Sequence, residues 1–170
     1  MSHQSLLPNI IPFILSLVNH SRDVFWIRSP DYGEQLYINP AYETVWGRTC
    51  ESLYKNPSQW TETIYPEDLK KLLDSVKKRN TNDVRAGNFF IEIYRIIKPD
   101  GEIRWIKDNS APIYDQKGKQ IGFAGIAQDI TEDKKQQEII LQAKEAAETA
   151  SIAKTEFIRN ILISKLIAPL

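Results

Sequence analysis

Histidine and cysteine are almost absent from this 170-residue chain, which has two histidines, His3 and His20, and one cysteine, Cys50. A single cysteine excludes an intrachain disulfide and fits a reducing compartment, so a cytoplasmic location is expected. No histidine occurs between Ser21 and Leu170. Neither a histidine-ligated haem nor a metal site is therefore expected in that span. Charge of one sign is also missing, with 22 Lys and Arg against 22 Asp and Glu. Such a balance offers no field for nucleic acid or an anionic membrane, and neither partner is expected. Long apolar runs are lacking too. Leu6 to Val18 is broken by Pro8, Asn9 and Pro12 and falls short of the roughly 20 residues that span a bilayer. It has no basic leader and no small-residue cleavage site, so no signal peptide is expected. Asp68, Glu92 and Asp129 are carboxylates without a Ser/His/Asp set, a phosphate-cradling glycine loop or metal spacing around them. Solvated or structural roles are expected for them, and no enzyme.

What is present is 42% hydrophobic composition, enough for one core and a tail. Residues 1–20 are expected to form an apolar helix that docks on the domain or on a second copy of it. Asp23 to Arg28 reads as a strand, Ser29 to Gly33 as a turn and Leu36 to Asn39 as the partner strand. Asn39-Pro40 then opens a helix, with Asn39 expected to cap it and Gly47 to end it. Thr49 to Thr63 reads as irregular with short helical turns, and Pro66 to Arg79 as a helix with acids in its first turn. Three strands follow, Phe89 to Ile97, Glu102 to Tyr114 and Gly122 to Ile130, joined by Lys98-Pro99-Asp100-Gly101 and by Asp115 to Lys119. The expected fold is α+β, a five-stranded antiparallel sheet with helices over one face. From Glu132 the sequence changes to Glu, Lys, Gln and Ala, which predicts a long helix capped by Thr131.

Five segments carry a family resemblance: Asn39-Pro40-Ala41-Tyr42, Trp46-Gly47-Arg48, Tyr65-Pro66-Glu67-Asp68, Asp100 to Ile106, and Asp129-Ile130-Thr131. In this order and spacing they resemble a PAS domain with its C-terminal PAC half, over residues 21–131. The resemblance implies a cytoplasmic sensor that binds a small ligand or a partner and passes the result to an output module. Ala143 to Glu148 and Ala153 to Asn160 are similar to the first dimerisation helix of a two-component sensor histidine kinase. No phospho-accepting histidine follows in Ile161 to Leu170. Residues 132–170 are accordingly expected to be a signalling helix that resembles the start of that element, truncated, with a downstream kinase or other output module as partner in the parent protein.

Trp26, Tyr42, Trp46, Trp60, Phe89, Ile91, Phe123 and Ala127 are the ligand-pocket candidates, with Trp105 among the further aromatics. Phe123, Gly125 and Ala127 share a strand face, and the two small residues are expected to leave space beneath the helices. Asp129, Ile130 and Thr131 are expected to transmit the signal. Ile139, Ala143, Ala146, Ala150, Ala153 and Phe157 recur at spacings of four and three, the seam of a parallel coiled-coil homodimer. Gly47-Arg48-Thr49-Cys50 is similar to the segment around the flavin-adduct cysteine of light-sensing LOV domains. The flavin-facing glutamine of those domains falls on Ala127, however, one place from Gln128. Neither flavin nor haem is expected, and Cys50 is read as a small buried thiol. A LOV-like photoreceptor and a ligand-free dimerisation module are the alternatives.

Overall fold

The computed structural model describes residues 7–79 and 89–167; His3 and the last three residues lie outside them. The chain divides into two compact units at Thr131/Glu132. In the first, helix α1 (Leu7–Asn19) precedes strands β1 (Val24–Arg28) and β2 (Gln35–Ile38). Helices α2 (Ala41–Trp46), α3 (Cys50–Lys55), α4 (Gln59–Glu62) and α5 (Pro66–Arg79) follow, then strands β3 (Phe90–Ile97), β4 (Ile103–Tyr114) and β5 (Gln120–Asp129). The helix α6 (Thr131–Ile167) makes up almost all of the second unit's described length.

The five strands form one antiparallel sheet in the order β2-β1-β5-β4-β3. Its two edges come from the two halves of the sequence, and β5 closes the sheet by pairing with both β1 and β4. The outer edge of β3 is covered by the link into α5, where Tyr65 N–H donates to Arg95 O at 2.8 Å and Ile97 N–H to Thr63 O at 2.7 Å. Covering the edge leaves fewer unpaired backbone groups open to another strand.

Register fixes which residues share a face. Val24, Trp26 and Arg28 stand opposite Ala127, Gly125 and Phe123, and Asp108 and Ser110 join them from β4. Glu92, Tyr94 and Ile96 complete this inner face from β3. Tyr42 and Trp46 of α2, Leu53 of α3 and Leu72 of α5 close over it and are buried. Leu72 sits on the face that the 3.6-residue spacing of Leu69, Leu72, Leu73 and Val76 predicts. Asp68 in the first turn of α5 does more than meet the helix dipole. Its carboxylate accepts Arg95 N–H at 2.8 Å and Arg95 Nε–H at 2.9 Å, and pairs with Nη2 at 2.7 Å. The Arg95 hydrogen bonds hold its pKa below the ordinary carboxylate value.

The residue expected to cap α2 has another task. Pro40 occupies the cap position without a side-chain hydrogen bond. Asn39, fully buried, instead joins three segments through its amide. Its Oδ1 accepts Phe25 N–H at 2.9 Å, and its Nδ2 donates to Val18 O at 2.8 Å and Asp23 O at 2.9 Å. The end of α1, the start of β1 and the entry to α2 thus meet at one side chain. Gly47 ends α2 as expected, at φ 68°, with its N–H on Glu43 O at 3.0 Å.

Ile14, Leu15 and Val18 of α1 line a hollow on the opposite face of the sheet together with Phe25, Ile27, Ala124 and Ile126. Much of the apolar surface of α1 stays open, with Phe13 and Leu17 76% and 75% exposed, and residues 1–6 of the expected 1–20 helix lie outside the described residues.

Removing the Asn39 amide strands one buried donor and two carbonyls. Asn39→Ala should lower the unfolding free energy by about 3 kcal/mol, measured by urea denaturation. Asn39→Asp, which keeps the acceptor and loses both donors, should also destabilise. A change below about 0.5 kcal/mol for either variant would contradict this account.

Candidate functional site

Between the inner face of the sheet and the helices lies a void of about 60 Å³. On the scale of about 10–15 Å³ per water, it has room for about four to six water molecules. Its apolar wall includes Val24, Ile38, Leu53, Leu72, Val76 and Ala127, and its aromatic wall Trp26, Tyr42, Trp46, Trp60 and Tyr94. Arg28, Gln35, Glu92 and Asp108 bring polar groups to the same space.

One glycine shapes the floor. A Cβ at Gly125 would come within 2.5 Å of the Trp26 indole. Without it the indole crosses β5, and Nε1–H donates to Asp108 Oδ1 on β4 at 3.1 Å. The space that the small residues of β5 leave is therefore taken at Gly125 by a neighbouring side chain, and remains open beside Ala127. Asp108 Oδ2 accepts the Tyr94 hydroxyl at 3.3 Å, which ties β1, β4 and β3 together across the floor.

Arg28 is only 4% exposed. Its Nε–H donates to Gln35 Oε1 at 2.9 Å, its Nη2 donates to Pro57 O, and its guanidinium lies 5.3 Å from the centre of the Trp60 ring. Burial lowers its pKa to about 10, so it remains a cation at neutral pH. The Tyr42 phenol is pushed up to about 12 by burial and remains a neutral donor. Tyr42 stacks on Trp46 at 5.2 Å, and neither Tyr42 Oη nor Trp46 Nε1 has a protein partner.

Trp26, Tyr42, Trp46, Trp60 and Ala127 all line this void. Phe89 and Ile91 do not. They are 76% and 62% exposed and belong to the opposite set of alternating positions, with Glu92 and Tyr94 facing inward. The more apolar set was assigned to the pocket, whereas the inner face is the more polar one. Phe123 is buried on the inner face and does not line the void itself, but stacks at 4.8 Å on Tyr32, which does. Trp105 lies on the other side, with the Arg95 guanidinium 5.4 Å from its ring. Arg28, Gln35, Tyr94 and Asp108 were missed; the available signal was the two-residue period that places Arg28 beside Trp26 and Tyr94 beside Glu92.

The end of β5 forms a second site. Asp129 Oδ2 pairs with Arg104 Nη1 at 2.6 Å, while its Oδ1 accepts Thr131 N–H at 2.9 Å and also the Thr131 hydroxyl. Trp105 then holds both neighbours, its carbonyl accepting Ile130 N–H at 2.9 Å and its N–H donating to Thr131 Oγ1 at 2.9 Å. Thr131 is therefore not the cap that the sequence predicts. It is the first residue of α6, and its hydroxyl oxygen serves the neighbouring strand rather than a helix N–H.

Cys50 does not line the void. Its Sγ lies 3.5 Å from Asn39 O, and burial, with Glu43 nearby, pushes its thiol up to about 11. Neither histidine nor cysteine contributes to the void's lining among the described residues. Gln128 does not line it either and donates to Asp23 Oδ2 at 3.1 Å. The wall therefore fits neither a histidine- or cysteine-ligated haem nor a flavin poised for adduct formation with Cys50.

A five-stranded antiparallel sheet with helices and a void over one face defines an α+β domain. Comparison with known proteins makes this specific: the family described as PAS fold matches residues 35–127, and the chain belongs to it. Among curated proteins, it is 29% identical over 119 residues to the methyl sulfide methyltransferase-associated sensor of Methanosarcina acetivorans, covering 69% of this chain and 12% of that protein. The chain thus spans only a small part of that relative's length. Solved structures with the same fold include a domain of a proposed light and redox sensing histidine kinase from Haloarcula marismortui, at 29% identity and TM-score 0.54. That match covers 71% of this chain and 99% of the other. A PAS domain from Colwellia psychrerythraea matches at 23% identity and TM-score 0.59, covering 72% and 98%.

Adding a methyl group at position 125 drives it into the Trp26 indole. Gly125→Ala should cost about 1–3 kcal/mol by overpacking, read in urea denaturation, and shift the Trp26 fluorescence as the indole is displaced. Wild-type stability with unchanged fluorescence would show that Trp26 does not lie across Gly125.

Proposed function

We propose that this chain is a cytoplasmic sensory and signal-transmission module. It takes a small molecule into the void beneath α2, α3 and α5 and relays its presence through Asp129, Ile130 and Thr131 to α6. The observation that carries the reading is the continuity of β5: Ala127 lines the void, and two residues later Asp129 begins the hydrogen-bonded junction. A ligand that shifts β5 changes the strain on that junction, which supplies the differential contact a relay requires. The similar Haloarcula domain belongs to a protein described as a histidine kinase, and the Methanosarcina relative is described as a sensor. An input role in a larger signalling protein follows, with the output supplied by a downstream kinase or another module and no phosphoryl transfer by this chain itself. No flavin, haem or metal is proposed, and no nucleic acid or membrane partner. Among the described residues no helix is long and apolar enough to cross a membrane.

The output end of this module is a homodimer through α6. Ile139, Ala143, Ala146, Ala150, Ala153 and Phe157 fall within one continuous helix, with Ile139 and Phe157 exposed on the single chain. Alanine buries little area, so at roughly 25 cal/mol per Å² the pairing is weak and open to a change of packing. Analytical ultracentrifugation should show a concentration-dependent dimer. Ala146→Glu or Phe157→Asp should raise its dissociation constant by about tenfold or more, a loss of about 1.4 kcal/mol, while Glu145→Gln should leave it unchanged. A wild type that stays monomeric, or equal effects of seam and outward substitutions, would overturn the dimer relay.

A further inference from the structure

Arg28 is a buried cation with no carboxylate at ion-pair distance among the described residues. The protein satisfies it with neutral oxygens alone, Gln35 Oε1 and Pro57 O, and its Nη1 has no hydrogen-bond partner among them. A buried guanidinium held this way is incompletely compensated. The acid nearest in role, Asp108, is engaged by Trp26 Nε1–H and the Tyr94 hydroxyl. Tyr42 and Trp46 on the same wall are donors without protein acceptors. Glu92 and Asp108 also line the void, but neither is at ion-pair distance from Arg28, so the donors Arg28, Tyr42 and Trp46 favour a ligand that brings an acceptor, and beside a guanidinium an anionic one is the strongest.

We propose that the void binds a small organic carboxylate, with its oxygens on Arg28 Nη1 and its hydrocarbon part against the wall formed by Trp26, Tyr42, Trp46 and Leu53. This rests on the reading of the void as a sensor's ligand site and names the ligand's chemical class. With Nε and Nη2 already donating to Gln35 and Pro57, Nη1 offers a charge-assisted contact to one carboxylate oxygen, and the other donors of the wall, Tyr42 Oη and Trp46 Nε1, are available to the second oxygen. The aromatic and aliphatic lining favours an acid with an apolar body over an inorganic oxyanion. The void, about 60 Å³, restricts that body to a few heavy atoms. The surrounding low-dielectric side chains strengthen the charge-assisted contact and penalise a neutral isostere that lacks the charge.

The test is isothermal titration calorimetry of the whole chain against acetate and propionate, their amides acetamide and propionamide, and inorganic phosphate, all at constant ionic strength. At least one carboxylate should bind at least tenfold more tightly than its amide and than phosphate. Arg28→Gln should weaken that binding by at least tenfold while leaving the far-ultraviolet circular dichroism unchanged. Should Arg28→Gln not fold, the wild-type comparison of carboxylate with amide still decides the matter. Amides that bind as well as acids would overturn the anionic class and leave the sensing function standing. Phosphate binding with no carboxylate binding would overturn the organic class. If neither acids, amides nor phosphate bind, and native mass spectrometry of the purified chain shows no retained small molecule, both the ligand class and the sensing function fail.

Discussion

The Trp26 indole lies across β5 because position 125 carries no side chain, and much of the site depends on that close approach. A Cβ there would stand 2.5 Å from the ring. Lying flat, the indole reaches from β1 to Asp108 on β4 and forms a floor under the helices. The same floor places Asp108 between the indole and the Tyr94 hydroxyl. With Asp108 engaged in this way, it acts on Arg28 only through its charge, and the hydrogen-bond partners of Arg28 are neutral oxygens. A glycine in the middle of a strand normally weakens it through entropy and lost packing. Here the indole of the neighbouring strand supplies the packing.

The inner face of the sheet is consequently polar where a core would be apolar. Buried polar groups persist when each is hydrogen-bonded, and most of this set is: Trp26 with Asp108, Tyr94 with Asp108, Arg28 with Gln35 and Pro57. The exceptions, Tyr42 Oη and Trp46 Nε1, occur on residues that wall the void. At the far end of β5 the arrangement differs. The polar atoms of the Asp129 and Thr131 side chains all have partners, Trp105 O accepts Ile130 N–H and Trp105 N–H donates to the Thr131 hydroxyl, while Arg104 Nε beside them has no partner among the described residues. One strand, β5, therefore runs from the void's wall, where Tyr42 Oη and Trp46 Nε1 lack protein partners, to the hydrogen-bonded Asp129–Thr131 segment.

Much of the fold was legible in the sequence, since period-two strands, a 3.6-period α5 and glycine turns each declare themselves locally. A helix opening at Pro66 and running to about Arg79 matches α5 (Pro66–Arg79). The site was less legible, for two identifiable reasons. Alternation in β3 separates two sets of residues but does not say which faces inward. The rule that the apolar set is buried selects Phe89 and Ile91, and it fails where the inner face carries a polar cavity. The second reason is that Asn39 and Thr131 are ordinary caps by local chemistry. Each is diverted by partners far away in sequence: Asn39 by Phe25, Val18 and Asp23, and Thr131 by Trp105. Residue type identified both as hydrogen-bonding hubs, while only the tertiary contacts define what they join.

The central claim is that occupancy of the void is felt at the junction, and the four tryptophans report on both ends. Trp26, Trp46 and Trp60 wall the void, whereas Trp105 belongs to the junction. Following the four indole N–H resonances by nitrogen-15 NMR while propionate is added measures wall and junction in one titration. The account predicts that the Trp105 resonance moves along the same saturation curve as the wall indoles. Wall indoles that shift while Trp105 stays fixed, or four resonances that never move, would contradict it.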